Sequence, residues 1–201
     1  MREGSDPMPS ERMASIFSLV FNPAIVSAFT FLILLYPENT QNALLLFGIC
    51  VTFGTLAPLA VIYQLSERGL ISDFYVTERE ERAKPFAGAI SSYLVGSLAL
   101  LSLRAPTIVT GLMLCYAVNT LIMMLTTLRW KISVHASGIA GPTTTLMYGL
   151  GLWAAIFFAL LLPVGWARIK LKAHTPAQVL AGALLTAVAT WLQLRIYLAV
   201  L

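Results

Sequence analysis

Residues 136–166 read ASGIAGPTTTLMYGLGLWAAIFFALLLPVGW, and the way this stretch folds decides the architecture of the chain. Its 31 residues exceed one upright membrane helix and fall short of two full ones, which need roughly 20 residues each. Gly149-Leu150-Gly151 lies near its middle and supplies a turn. The reading adopted is a short helical hairpin with two arms of about 14 residues, each roughly 21 Å long at 1.5 Å per residue. A hairpin returns the chain to the side it left, whereas a single tilted helix crosses. Three polar stretches then meet on one face: 66–85 (SERGLISDFYVTEREERAKP), 129–135 (RWKISVH) and 166–174 (WARIKLKAH).

Outward from the hairpin the chain is a series of apolar segments. Met13 to Tyr36 is a first span kinked at Asn22-Pro23, and Pro37 to Thr40 is a tight turn. A second span runs to about Gln64 with Pro58 inside it. Phe86–Leu103 and Pro106–Leu128 flank a turn at Arg104-Ala105, and the last span runs from Pro176 to the end. The expected fold is all-α: a polytopic integral membrane helix bundle of six to seven apolar segments. Residues 1–12 form a polar N-terminal segment and 13–201 a single membrane-embedded domain. Composition agrees, since only 11% of the 201 residues are charged and 58% are hydrophobic, with a mean hydropathy of +0.82, against roughly 25% charge in soluble domains. No cleavable signal peptide is expected in MREGSDPMPSER.

Of the thirteen Lys and Arg residues, all but Arg104 and Arg195 lie in the N-terminal segment and the three polar stretches. The positive-inside rule puts that side in the cytoplasm, in a multi-pass protein of the cell membrane whose C-terminus, seven crossings later, lies outside. Trp130, Trp166, Tyr63 and Tyr75 form an aromatic belt at the same edge. The basic residues belong to short loops beside spans, so no nucleic-acid partner is implied. Cys50 and Cys115 lie in apolar runs and read as buried thiols, with neither a disulfide nor a metal site. No feature fixes an oligomeric state.

Chemistry concentrates where the loops meet. Both histidines, His135 and His174, lie there with Arg168, Lys170, Lys172, Lys131, Ser133, Arg79, Arg82 and Lys84. Thr175-Pro176-Ala177-Gln178 is a capping box with proline at the first helical position, so a helix begins at Pro176. Its free N–H groups and positive dipole end sit beside His174, which makes an anion site containing an imidazole. A cationic rim on anionic headgroups would not call for two imidazoles. A phosphate ester would: cations neutralise the phosphoryl group, one imidazole attacks and the other protonates the leaving oxygen. Asp73, Glu78, Glu80 and Glu81 are not arranged as paired magnesium-binding clusters and read as salt-bridged loop charges.

The pattern resembles the type-2 phosphatidic acid phosphatases, the histidine-dependent membrane lipid phosphatases. Their third motif is matched best: Arg168 and His174 are separated by five residues, and the following Val179-Leu180-Ala181-Gly182 is similar to the family's. The second appears as Ile132-Ser133-Val134-His135, without the family's proline and glycine. The first is reduced to Lys84-Pro85 in place of Arg-Pro, with Thr77 where the family has lysine. Ala167 replaces a serine, and Gln178 replaces the aspartate that orients and charge-stabilises the nucleophilic histidine. A glutamine holds an imidazole tautomer by one hydrogen bond but does not stabilise the imidazolium as an anion does. Lys84 also gives up the bidentate geometry of arginine.

The resemblance implies a phosphoric ester or diphosphate hydrolase that uses neither metal nor cofactor. His174 would be the nucleophile that becomes a phosphohistidine, and His135 the acid. Arg168, Ser133, Lys84 and Arg79 or Arg82 would bind phosphate, and Gln178 would orient His174. The implied substrate is a lipid phosphate or diphosphate. A cytoplasmic site and an apolar wall of Met123, Met124 and Leu125 favour an isoprenoid diphosphate. A catalytically impaired lipid-phosphate binder or transporter is the competing reading, and a structural membrane subunit the third.

Overall fold

The computed structural model describes residues 8–36, 42–73, 76 and 78–201, and these are helices joined by short connections. The expected turn at Pro37–Thr40, together with Tyr75 and Thr77, lies outside the described residues. Five helices are long and apolar enough to cross a membrane, six if the bent pair α1 (Pro9–Val20) and α2 (Pro23–Leu35) is one span. Helix α1 begins four residues before the expected apolar start at Met13. Pro9 stands at its first position, and Glu11 accepts the Met8 N–H at 3.2 Å. The 42° bend between α1 and α2 falls at Asn22-Pro23. Pro23 has no N–H to continue the ladder, and Asn22 Oδ1 caps the new helix at Ala24 N, 2.9 Å away.

The second apolar segment is continuous from Ala43 to Glu67 but changes winding: α3 (Ala43–Val51), a π-helical turn (Thr52–Leu56), then α4 (Ala57–Glu67). Pro58 explains the turn, because its ring crowds the carbonyl four residues back, at Gly54, and offers it no N–H. Helices α5 (Ala83–Ser102) and α6 (Thr107–Thr127) match the third and fourth expected spans.

The hairpin stands as expected. Helix α7 (Val134–Leu150) ends at Gly151, whose φ of +100° only glycine adopts readily. The chain returns through a 3₁₀ segment (Leu152–Leu160) and α8 (Leu161–Lys170). Its arms, of 17 and 19 residues, are longer than the expected ones, because both helices extend into the polar flanks. The 3₁₀ rise of ~2.0 Å per residue stretches the second arm to about 33 Å, against about 26 Å for α7. The shorter α7 lies at the centre, packed by α2, α6, α8 and α9 (Pro176–Val200).

The surface, unlike that of a water-soluble bundle, is apolar, over a core that holds hydroxyls beside Phe31, Leu100, Leu112 and Met113. Leu180, Leu184, Val188 and Ile196 form an exposed stripe on α9, while Thr186 and Thr190 on its other side are buried, as are Thr143, Thr144 and Thr145 of α7. Hydrocarbon outside and hydroxyls inside is what a bilayer selects, since helices there associate through small and polar residues. One such contact runs across α6 and α9: Asn119 Nδ2 donates to Thr190 Oγ1 and Gln193 Nε2 to Asn119 Oδ1, each at 2.8 Å. Cys50 and Cys115 are buried free thiols.

The polar stretches converge at one end. Arg79 Nη1 donates to Arg129 O (3.2 Å) and Arg82 Nη1 to Ile132 O (3.3 Å), and Ser133 N–H donates to Gln178 O at 3.2 Å. Gly149 lies at the other end, against Leu34 and Ile108, as a hairpin requires.

Candidate active site

The five-residue gap between Arg168 and His174 is the ending of one helix followed at once by the start of another. At the C-terminus of α8, Lys172 takes up a left-handed φ of +53°. Its N–H donates to Ile169 O at 2.9 Å and the Ala173 N–H to Arg168 O at 3.0 Å, the two bonds of a Schellman motif. The His174 N–H reaches the same Arg168 carbonyl at 3.2 Å, so the reversal brings residue 174 back to the end of α8, and both side chains line one cavity. Lysine in place of the usual glycine hides this ending in the sequence.

Thr175 then caps α9 as expected. Its Oγ1 accepts the Gln178 N–H at 3.3 Å, and its own N–H donates to Gln178 Oε1 at 3.1 Å. Gln178 Oε1 also lies 3.3 Å from His174 Nδ1. A backbone N–H can only donate, so the amide atom facing Thr175 is the oxygen, and Nδ1 beside it carries the proton. The lone pair is therefore on Nε2. Capping and orienting, two tasks that one glutamine serves, share a single acceptor and do not compete.

Ser133 is fully buried and caps α7, accepting from Ala136 N at 3.3 Å, which puts His135 in the first turn. A Cβ at Gly182 would lie 2.6 Å from Ser133 O, so only glycine lets α9 approach this closely. Ser137 Oγ donates to Gly182 O across the contact at 3.0 Å. Backbone packing of the two helix starts thus places both imidazoles in one cavity.

The three cations assigned from the first motif separate. Arg82 is buried, with Nε donating to Val76 O at 3.0 Å. Val76 is held at a φ of +48°, strained for a β-branched residue. Arg79 pairs at the surface with Glu80 at 2.9 Å, and Lys84 is exposed; neither lines the cavity. Of the loop carboxylates, Glu81 accepts from the N–H and hydroxyl of Ser72. Among the described residues no three His, Cys, Asp or Glu side chains come together as metal ligands.

Arg168, His174, His135 and Arg82 line a cavity of about 220 Å³ that no aspartate or glutamate among the described residues lines. Ser133 and Gln178 stand behind this lining as the cap and the orienting group. Comparison with known protein families, with curated proteins and with solved structures gives no match. One side chain in the site belongs to none of the three motif stretches. Ser18 of α1 accepts from Arg168 Nη1 at 2.8 Å and lies 3.3 Å from His135 Nε2. Helix α1 is held there by Phe17 against Trp166, edge to face at 6.1 Å. The only sequence signal is a serine inside the apolar run Ile16–Phe21.

The electrostatics call for an anion. Burial above all, then Arg168, Arg82 and Lys131, push His174 down to about 3, with the Gln178 hydrogen bond opposing. Burial and Arg168 likewise bring Arg82 down to about 10, so it stays charged at neutral pH. A base whose folded pKa lies below its ordinary value is held neutral. His174 therefore keeps its Nε2 lone pair well below pH 6. For the phosphate ester that the sequence resemblance implies, the acid limb of kcat/KM should then follow the phosphate, which takes its second proton at about pH 6, and not the imidazole. Gln178→Glu keeps the capping box and adds an anion beside Nδ1, which raises the His174 pKa. We expect a new acid limb closer to neutrality and phosphoryl transfer about tenfold faster, since a hydrogen bond to a charged group is worth ~1.5–3 kcal/mol. A pH–rate profile superimposable on the wild type would contradict this account of Gln178.

Proposed function

We propose that the protein is a membrane lipid phosphatase of the phosphohistidine type, a divergent relative of the type-2 phosphatidic acid phosphatases. The observation that carries the reading is a cavity which brings two buried imidazoles and two buried guanidinia together and runs on into an apolar bundle. Such a cavity suits an anionic headgroup with a hydrocarbon chain. Arg168 and Arg82 hold the phosphoryl oxygens. His174 Nε2 attacks phosphorus as the bond to the lipid oxygen breaks, and His135, which takes up a proton as the phosphate anion enters beside it, gives that proton to the leaving oxygen. Water then attacks the phosphohistidine, His135 takes a proton from it, and phosphate leaves with Nε2 restored.

The preference for an isoprenoid diphosphate rests on a cytoplasmic site and on a wall of Met123, Met124 and Leu125; of these three only Met123 lines the cavity, and Leu125 is exposed. The chain of the lipid is taken up below. We further propose seven crossings, with the site end in the cytoplasm, on the strength of the Lys and Arg distribution. Gln178 in the aspartate's place favours one other reading, a lipid-phosphate binder with an impaired nucleophile.

One assay addresses all of this: inorganic phosphate released from prenyl and glycerolipid phosphates by protein in sealed vesicles of known orientation, with chelator present. Release from substrate added on the cytoplasmic face supports the proposal. Binding without release supports the binder, and release only from the opposite face reverses the orientation.

A further inference from the structure

Away from the imidazoles the cavity continues between α2, α4, α5, α6, α7 and α9, and its largely apolar wall there includes a few hydroxyl-bearing residues. Ser27 and Thr186 line it, 4% and 3% exposed. The Thr186 hydroxyl has no hydrogen-bond partner among the described residues, and the Ser27 and Tyr116 hydroxyls neighbour each other without a hydrogen bond of good geometry. Hydroxyls inside apolar helices ordinarily donate to the carbonyl four residues back. Thr30, Thr144 and Thr145 do so here, at 2.7, 2.9 and 3.1 Å. Ser27 and Thr186 forgo that bond and border the cavity instead. Pro142 adds an acceptor, since it has no N–H for the carbonyl of Gly138, and both residues line the same space. Gly141 lets α9 pack closely beside this space: a Cβ there would lie 3.0 Å from the Thr186 methyl.

We propose that Ser27, Tyr116 and Thr186 form a second, polar subsite that binds a hydroxyl or carbonyl on the chain side of the ligand's phosphate. The inference deepens the lipid-phosphate reading and rests on it. The ligand class is then a lipid phosphate with a hydrogen-bonding group near its head, and a plain hydrocarbon chain is discriminated against. A site built to hydrogen-bond such a group rejects an analogue lacking it, because its buried hydroxyls are left unmatched.

The test uses full-length protein in detergent and non-hydrolysable ligands: dodecylphosphonate, and its 2-hydroxy and 2-oxo derivatives, which are equal in chain length. Calorimetric titration should give at least about tenfold tighter binding of a derivative than of the parent. Thr186→Val and Ser27→Ala should each bring that ratio toward one. Thr110→Val, which removes another unpartnered hydroxyl away from the cavity, should leave it in place. Two variants on different helices guard against a single misfolded one, and thermal melting identifies it. Equal affinities in the wild type, a ratio indifferent to both substitutions, or no binding of any of the three overturns the subsite. The corresponding alkyl phosphates separate the two claims. Discrimination without hydrolysis removes the phosphatase and keeps the subsite; hydrolysis without discrimination does the reverse.

Discussion

His174→Ala loses phosphate release and covalent labelling together, with every substrate. The expected fall is on the order of 10⁴–10⁶-fold, as for other enzymes stripped of their nucleophile. Three features single out His174. It follows the ending of α8, which returns its backbone to the Arg168 carbonyl; its Nδ1 proton is fixed by Gln178; and its Nε2 is kept unprotonated by burial and the surrounding cations. Protein incubated with phosphate-labelled substrate and quenched rapidly in alkali should carry one acid-labile label on the peptide containing residue 174. The variant should carry none, yet still bind a phosphonate analogue, because Arg168 and Arg82 remain. Undiminished turnover would remove the nucleophile assignment whatever the labelling showed.

What could be read from the sequence was whatever has a local chemical signature. The bend at Asn22-Pro23, the turn at Gly151 and the capping box at Thr175–Gln178 each depend on a side chain acting on its own backbone, and each is where the residues put it. Convergence of the polar loops followed from one length argument about residues 136–166. What escaped the sequence is what depends on distant packing. Nothing nearby marks Ser18 as a partner of Arg168 150 positions away. Arg79, Arg82 and Lys84 are equivalent as letters, and only burial beside Val76 and Ile132 separates Arg82 from the other two. Ser133 reads as a phosphate ligand by its motif, but its side chain caps α7. The apolar wall is built by other residues than expected for a related reason: Leu125 is exposed, and Leu59, Ile62 and Phe86 line the cavity with Met123.

The second histidine should fail differently from the first. His135→Ala should slow hydrolysis of an alkyl lipid phosphate by ~10²–10⁴-fold, the usual worth of a positioned general acid. It should recover much of that rate with an aryl phosphate such as p-nitrophenyl phosphate, whose phenolate leaves without a proton. The reasoning starts from position: His135 stands in the first turn of α7, with Nε2 3.3 Å from Ser18 Oγ, which also holds Arg168. The imidazole is thus tethered through Ser18 to Arg168, the residue proposed to hold the phosphoryl group, on a helix start docked against that of α9. An acid placed there can reach the bridging oxygen while His174 attacks from the loop between α8 and α9. Comparing kcat for the two leaving groups in wild type and variant isolates proton donation from a merely structural loss, which would depress both rates alike. Covalent labelling completes the assignment, since His135→Ala should still form the phosphohistidine from the aryl substrate. A label found on residue 135 in the wild type would exchange the two roles, and an equal loss with both leaving groups would reduce His135 to a structural part of the site.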